Sequence, residues 1–329
     1  MYLICQSVNL RFHQIQCNKI KTMELNNYKD TWNNRVDSLK SGAIAVDGST
    51  DEETLLSNGK WTADQMQSAL NIKPDDVVLE MGCGVARIGK LLAPLCKKWI
   101  GTDISENMLK VAEERLSDFN NVEFHALKRN DLSCIEDNSI DKLYTVAVFC
   151  HLDKEDLFNY MREFYRVLKP GGIAYMETWN LATTIGWKRW QYEADNWLIS
   201  DHSERKDVAR NQFCSPDEFD LYAKHAQFNI LGSYNKSVWN QIIAGKELSE
   251  ESESELLNYL KNHQDDFVYS QTFSKLFEYA MDVTYNAIHP KVMMEHIKSL
   301  GDIPVAALYE KFLIGLWSNN EELWGKVEY

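Results

Sequence analysis

The segment Val77-Val78-Leu79-Glu80-Met81-Gly82-Cys83-Gly84-Val85-Ala86-Arg87-Ile88-Gly89 decides the fold predicted for this chain. Its first three residues are apolar, as in a strand that is buried on both faces of a parallel sheet. The glycines then predict a tight turn, and a helical pattern begins at Arg87. A strand, a glycine turn and a helix N-terminus direct backbone N–H groups towards an anionic ligand. Dinucleotide-binding folds share this arrangement, so the segment alone leaves the ligand open.

A second strand that ends in an acid narrows the choice of ligand. Residues 99–103 read as this strand, and Asp103 follows the glycines at about the 20-residue distance at which an acid accepts hydrogen bonds from ribose hydroxyls. The G-x-G-x-x-G spacing of dinucleotide-binding turns is missing, and Glu80 would repel a pyrophosphate. A ribose-bearing ligand with an ammonium group, such as S-adenosylmethionine (SAM), suits Glu80 better.

Further motifs follow in order along the chain. They are Asp103-Ile104-Ser105-Glu106-Asn107-Met108-Leu109, Asn130-Asp131-Leu132, Ser139-Ile140-Asp141-Lys142-Leu143-Tyr144, Val148-Phe149-Cys150-His151-Leu152 and Arg166-Val167-Leu168-Lys169-Pro170-Gly171-Gly172. Together with Glu80-x-Gly82-Cys83-Gly84, they resemble the class I SAM-dependent methyltransferases, specifically the small-molecule group with an E/D-x-G-C-G motif. The resemblance covers residues 74–180, and Ala86 and Asn130 replace glycines of the family pattern.

The resemblance implies where SAM would bind as the cofactor. Asp103 would hold the ribose as a strand-end acid in an open cleft, and the turn glycines would let the backbone approach the methionine part. Ile104 and Met108 would pack on the adenine face. Asp131 and the N–H of Leu132 would read the adenine edge. The full set of implied cofactor-binding residues is Tyr28, Trp32, Glu80, Gly82, Cys83, Gly84, Arg87, Asp103, Ile104, Met108, Asn130, Asp131, Leu132 and Ala147.

Aromatic residues outside this core have two interpretations each. Tyr28 and Trp32 lie four residues apart, so they share one face of a predicted N-terminal helix. The resemblance implies that an aromatic residue here closes over the methyl donor; alternatively, both rings only dock the helix. Beyond residue 180, Trp187, Trp190 and Trp197 would line an acceptor pocket, where aromatic faces favour a cation, or they would form the core of a cap.

Methyl transfer from SAM is an in-line displacement that needs alignment and exclusion of water but no metal. His151 is the candidate general base, because its side chain titrates near neutral pH and follows the fourth predicted strand. Alternatively, it is a structural histidine that hydrogen-bonds the cap. Glu177 would orient a cationic acceptor or a base. The acceptor atom, which could be N, O, S or C, stays open.

Charge and cysteine content restrict the partners. The 329 residues include 49 acidic and 35 basic ones, for a formal net charge of −14, whereas nucleic-acid partners require a basic face. The seven cysteines are scattered without a C-x-x-C pair, which indicates a reducing, cytoplasmic location and no metal site. No run approaches the ~18 apolar residues of a membrane span. We therefore expect a small-molecule acceptor, no nucleic-acid or membrane partner, and a monomer or homodimer.

The alternation of strands and helices predicts an α/β fold with a doubly wound, Rossmann-like sheet of seven strands and a helical cap. Later strands are expected at residues 122–125, 142–149, 173–177, 228–234 and 311–317, the last after a helical insertion at 238–305. Residues 42–59 read as a loop and Ser252 as a helix start. Four regions follow: a disordered tail, upstream start or weak transit peptide (1–22), N-terminal helices (23–73), the SAM-binding core (74–180), and acceptor-binding insertions with a helical cap that includes the last strands (181–329).

Two other functions fit parts of the sequence. The first is a methyltransferase for protein or nucleic acid. The fourth predicted strand is not followed by an Asn/Asp-Pro-Pro-Tyr motif, however, and the chain contains no Pro-Cys pair. The second is a non-catalytic regulator with a SAM fold, against which the intact ligand motifs argue. Measuring the affinity for SAM would test this second alternative.

Overall fold

A central sheet organises the chain, whose computed structural model describes residues 26–47, 52–198 and 212–327. The order of strands is β3-β2-β1-β4-β5-β8-β7, and β6 pairs with β5. The strands β1 to β5 are parallel, whereas β8 is antiparallel to β5 and β7. The strands are β1 (Val77–Met81), β2 (Lys98–Asp103), β3 (Val122–Ala126), β4 (Ile140–Thr145), β5 (Leu168–Asn180), β6 (Phe213–Cys214), β7 (Asn229–Tyr234) and β8 (Trp239–Gly245).

This order confirms the predicted Rossmann-like sheet, although β8 and the two-residue β6 are not among the seven expected strands. The chain builds β1, β2 and β3 outward in one direction and then crosses to β4 on the other side of β1. Ligands of open α/β sheets bind where the order reverses, beyond the carboxyl ends of the strands. The strand order reverses between β1 and β4. The predicted tail at residues 1–22 lies outside the described residues.

Helices cover the sheet and form the cap. They are α1 (Asn26–Asn33), α2 (Leu39–Asp47), α3 (Glu52–Leu70), α4 (Gly89–Leu92), α5 (Glu106–Arg115), α6 (Lys154–Val167), α7 (Thr184–Leu198), α8 (Pro216–His225), α9 (Glu250–Phe267), α10 (Gln271–Thr284), α11 (Pro290–Leu300), α12 (Pro304–Ser318) and α13 (Glu321–Trp324). We call α9 to α13 the C-terminal cap. Neighbouring residues of one strand face opposite layers: Leu143 packs with α6 and α8, whereas Tyr144 packs with α3 and α5. The sheet is therefore doubly wound.

The predicted last strand at residues 311–317 is wrong, because this segment lies within α12. Tyr309, Leu313 and Trp317 are buried at intervals of four residues, which is the spacing of one helical face. A short apolar run does not by itself distinguish a strand from a helix. The strand that completes the sheet is β8, and its polar residues Asn240 and Gln241 hid it. The C-terminal cap therefore follows the sheet rather than interrupting it.

The predicted loop at residues 42–59 is also wrong, because α2 and most of the first half of α3 occupy it. Gly59 lies inside α3, where a Cβ atom would come within 2.8 Å of the carbonyl oxygen of Arg87. Glycine therefore permits close contact between α3 and the turn after β1, although glycine usually marks a loop. The predicted cap at Ser252 is displaced by one turn: the hydroxyl of Ser249 accepts the N–H of Ser252 at 3.2 Å.

None of the helices in the described ranges is both long and apolar enough to cross a membrane. Within the same part of the chain, no group of three or more His, Cys, Asp and Glu side chains is placed to hold a metal ion.

Candidate active site

A cavity opens beyond the carboxyl ends of β1, β2 and β4. Most of the predicted site residues line it: Tyr28, Trp32, Glu80, Gly82, Cys83, Gly84, Arg87, Asp103, Ile104, Met108, Asn130, Ala147 and His151. The sequence analysis missed several other lining residues: Ala45, Val46, Met81, Ile88, Leu127, Val146, Val148, Leu152 and Tyr160. All but Tyr160 are apolar and carry no chemical signal, although helical periodicity would have placed Ala45 and Val46 had α2 been recognised.

The glycine turn shapes the cavity without offering its first N–H groups to a ligand. Gly82 and Gly84 adopt φ angles of +76° and +53°, which glycine reaches without strain. The N–H groups of Gly82 and Cys83 donate to the carbonyl oxygen of Thr102 at 2.7 and 3.0 Å. The first helix after the turn begins only at Gly89. The prediction that this turn and a helix N-terminus surround an anion is therefore not supported by the geometry.

Asp103 is more buried than the open-cleft acid expected from the sequence, with 8% of the residue exposed. Its Oδ2 accepts the N–H of Gly84 and its Oδ1 accepts the N–H of Ser105, each at 2.8 Å. Burial raises the pKa of Asp103, and these N–H donors oppose the rise. Each carboxylate oxygen has a second lone pair. Asp103 therefore ties the glycine turn to α5 and retains acceptor capacity for a ribose.

Glu80, the penultimate residue of β1, is a buried carboxyl group on the cavity wall. The hydroxyl of Tyr144 donates to its Oε2 at 2.7 Å. Burial raises the pKa of Glu80 to about 8, while the Tyr144 hydroxyl and the positive charge of Arg87 oppose the rise. A ligand ammonium group beside Glu80 would favour the ionised form further.

His151 lines the cavity beyond β4. Its Nδ1 atom is buried and has no hydrogen-bond partner in the described part of the chain. The ring makes an edge contact with Trp32, with centroids 5.2 Å apart. Burial, followed by the positive charges of Arg35 and Arg189, lowers the pKa of His151 to about 4. His151 is therefore neutral at pH 7 and able to accept a proton, but it is a weak base.

Glu177 lies behind the cavity wall and is fully buried. Its Oε1 accepts the N–H of Ala147 at 3.1 Å, and its Oε2 accepts the hydroxyls of Tyr175 at 2.5 Å and Tyr269 at 3.1 Å. The structure therefore does not place Glu177 on the cavity wall, and its role towards an acceptor stays a prediction. Instead, Glu177 joins Ala147, which follows β4 and lines the cavity, to Tyr269, which lies between α9 and α10.

Glu177→Gln should change how stability depends on pH. Burial raises the pKa of Glu177 from its ordinary 4.5 to about 7. A carboxyl group whose pKa is higher in the folded state than in the unfolded state stabilises the fold at low pH. This contribution is complete below the unfolded-state pKa and is lost as pH rises through the folded-state pKa. Between pH 5 and 8, the free energy of unfolding of wild type should therefore fall by about 2–3 kcal/mol relative to Glu177→Gln.

Chemical denaturation at several pH values would measure this difference. Glu255→Gln, on the exposed side of α9, makes the same chemical change without altering a buried network. A wild-type-to-Glu177→Gln difference that stays constant from pH 5 to 8 would contradict the expectation.

The structure does not bring Asp131 and Leu132 to the cavity. Asp131 forms an ion pair with Arg129, with 3.2 Å between Nε and Oδ2, and accepts the N–H of Ser133. The N–H of Leu132 donates to Glu163 Oε2 at 2.8 Å, so it is already used. The cavity wall on this side is instead formed by Asn130, whose buried Oδ1 has no hydrogen-bond partner among the residues described.

Helix α1 covers the cavity and is held by hydrogen bonds. The hydroxyl of Tyr28 accepts the N–H of Asp153 at 3.0 Å. At the end of α1, the side-chain oxygen of Asn33 accepts the hydroxyl of Ser105 at 2.8 Å. Tyr28 and Trp32 also line the cavity. Docking of the helix and covering of the site, the two interpretations of these aromatic residues, therefore coexist.

None of the tryptophans from β5 onward whose side chains the structure describes lies on the cavity wall. Trp179 and Trp239 are buried and stack with centroids 3.6 Å apart; Trp190 packs against the same cluster. Trp187 is 48% exposed. Trp197 lies on α7, but its side chain is outside the described part of the structure. Among described residues, the wall includes none beyond α6, so an acceptor site in residues 181–329 stays a prediction.

The sheet order, the glycine turn after β1 and the acid that ends β2 define a class I SAM-dependent methyltransferase fold, and SAM is the cofactor of this class. Residues 78–172 match the family described as "Methyltransferase domain". This part of the chain is therefore a methyltransferase domain, as the sequence motifs predicted.

Two curated methyltransferases and one solved structure are similar to parts of this chain. A malonyl-[acyl-carrier protein] O-methyltransferase of Marinomonas sp. (strain MWYL1) is 32% identical over 36% of this chain and 44% of that protein. A demethylmenaquinone methyltransferase of Listeria welshimeri is 34% identical over 40% of this chain and 56% of that protein. The chain thus spans about half the length of these relatives. A solved SAM-dependent methyltransferase from Aquifex aeolicus is 17% identical, with a TM-score of 0.44 over 63% of this chain and 98% of that one.

Proposed function

We propose that this chain is a SAM-dependent methyltransferase that acts on a small-molecule acceptor. The observation that carries the proposal is the pair of buried carboxyl groups, Glu80 and Asp103, on the wall of one cavity at the switch point of the sheet. These groups match the ammonium and the ribose hydroxyls of SAM, respectively. The unpartnered Oδ1 of Asn130 on the same wall adds a polar atom suited to the adenine.

Each of these residues of the cavity wall would have its own role in the reaction. SAM, when bound, supplies a methyl group on a positively charged sulfur. Asp103 accepts hydrogen bonds from the ribose, and Glu80 faces the ammonium. Tyr28 and Trp32 exclude water, which a displacement at carbon requires. His151, being neutral, accepts a proton from the acceptor where the acceptor carries one.

The finer features of the function are also proposals. The names of the two relatives, a malonyl-[acyl-carrier protein] O-methyltransferase and a demethylmenaquinone methyltransferase, support an acceptor other than nucleic acid. The net charge of −14 supports the same choice. We further propose that residues 181–329 choose the acceptor, and that the protein acts in the cytoplasm as a monomer or homodimer.

Isothermal titration with SAM and S-adenosylhomocysteine (SAH) tests the donor site. We expect one site per chain for each, and no binding of a nicotinamide dinucleotide. Binding of the dinucleotide without SAM or SAH would reject the proposal. A metabolite extract incubated with methyl-labelled SAM then tests catalysis: a labelled product identified by mass spectrometry names the acceptor and its atom. SAM binding without any labelled metabolite, protein or RNA would favour a non-catalytic regulator.

A further inference from the structure

A line of three buried side chains ends on Glu80. The indole N–H of Trp99 donates to the hydroxyl oxygen of Tyr144 at 3.0 Å, and the Tyr144 hydroxyl donates to Glu80 Oε2 at 2.7 Å. Tyr144 and Glu80 are partners in the register of β4 and β1. Neither Trp99 nor Tyr144 lines the cavity, so they act on a ligand only through Glu80.

Trp99 fixes the direction of the Tyr144 proton. A tyrosine hydroxyl has a single proton; because its oxygen accepts from Trp99, that proton is directed to Glu80. The indole ring itself lies in a slot between two glycines. A Cβ atom at Gly89 or Gly101 would come within 2.3 or 2.5 Å of the ring. The indole of Trp99, which donates to Tyr144, is therefore held rigidly in place.

We propose that Tyr144, oriented by Trp99, is a positioning residue that makes the cavity select ligands with an amino-acid ammonium group, because it fixes the Glu80 carboxyl group in place and favours its ionised form. This inference rests on the proposed function, since it assumes that the ammonium of SAM faces Glu80. A hydrogen bond to an ionised carboxylate stabilises that form.

The electrostatics around Glu80 support this role. Burial raises the pKa of Glu80 to about 8; Tyr144 on β4 and Arg87 in the turn lower it, and Asp103 on β2 raises it. Cys83 is a further titratable neighbour, and burial, followed by the charges of Asp103 and Glu80, raises the pKa of its thiol. Loss of the Tyr144 hydroxyl would therefore raise the pKa of Glu80 further. The protonated form of Glu80 attracts an ammonium group less strongly than the ionised form does.

The test compares two ligands on the full chain at pH 7.5. SAH carries the ammonium group of its homocysteine part, whereas 5′-methylthioadenosine has the same nucleoside and a thioether without the amino acid. Tyr144→Phe should weaken SAH binding by about 10- to 100-fold, and it should change methylthioadenosine binding by less than twofold. The loss should shrink at higher pH, where Glu80 ionises without help.

Tyr175→Phe is the matched control. Tyr175 is the register partner of Tyr144 on β5, is equally buried and donates to a buried glutamate, Glu177, that does not line the cavity. This variant should leave the ratio of the two affinities unchanged. If Tyr144→Phe does not fold, Trp99→Phe keeps an aromatic ring, removes the N–H, and should shift the ratio in the same direction by a smaller factor.

The outcomes separate the two proposals. A wild-type protein that binds neither ligand rejects the proposed function. A wild-type protein that binds SAH, with a Tyr144→Phe variant that loses both ligands equally or retains SAH fully, overturns the role of Tyr144 alone. An equal shift of the ratio in Tyr175→Phe would also overturn it, because the effect would then belong to buried hydroxyls in general.

Discussion

Asp103→Ala is expected to weaken SAH binding by at least about 100-fold, since the ribose would lose two hydrogen bonds to a charged acceptor, each contributing ~1.5–3 kcal/mol. The structure adds a second effect. The N–H groups of Gly84 and Ser105 would lose the carboxylate that accepts them. A buried donor without a partner costs ~1–3 kcal/mol, so the melting temperature should also fall.

Calorimetric titration and thermal unfolding on the same samples check both parts. Asp131→Ala is the matched control, because it removes an acid of the same predicted ligand set that the structure places away from the cavity. This control should leave SAH affinity within twofold. The ribose assignment is wrong if Asp103→Ala binds SAH as tightly as wild type does.

Gly82→Ala is the second substitution for which we expect a large effect. The added Cβ would lie 2.3 Å from Val148 Cγ2, and the φ angle of +76° is unfavourable for alanine. Both residues line the cavity, so relief of the clash must move its wall. A displacement of about 1 Å in such a site can cost 100-fold, and we expect a loss of SAH affinity at least that large.

Two further variants separate the clash from the backbone strain. Gly171→Ala introduces a similar strain, at a φ angle of +83°, where nothing lies within 4 Å of the new atom. It should lower stability slightly and leave SAH affinity unchanged. Val148→Ala, combined with Gly82→Ala, removes the closest contacts and should restore part of the affinity. Equal losses in the single and double variants would show that the clash is not the cause.

The parts of this site that could be predicted are those set by sequence position. The strand that ends in Glu80 is an apolar run next to a turn, and parallel strands place their carboxyl ends at one edge. Glu80, Asp103 and His151 therefore had to converge once their strands were recognised. No contact between the three needed to be known in advance.

What could not be predicted were the partners that these groups find. The N–H of Leu132 is used by Glu163 on α6, 31 residues away in sequence. Glu177 ends the predicted fifth strand, as a catalytic acid would, yet it lies inside β5 and its neighbours include Tyr269, 92 residues distant. Hydrogen bonds between remote segments leave no local periodicity or motif. For the same reason, β8 was not recognised within the predicted helical insertion at 238–305, although all of the strand is buried.

The hydrogen bonds around Glu177 also link the sheet to the C-terminal cap. The matched methyltransferase domain ends at residue 172, before Glu177, and the carbonyl of Phe267 accepts from Gln241 on β8 at 3.0 Å. In a chain that ended after β8, the buried side chains of Glu177 and Gln241 would lose their hydrogen-bond partners Tyr269 and Phe267. Core and C-terminal cap therefore form one cooperative unit, and exchange of the cap between relatives would require the inner face of β5 and β8 to be rebuilt with it.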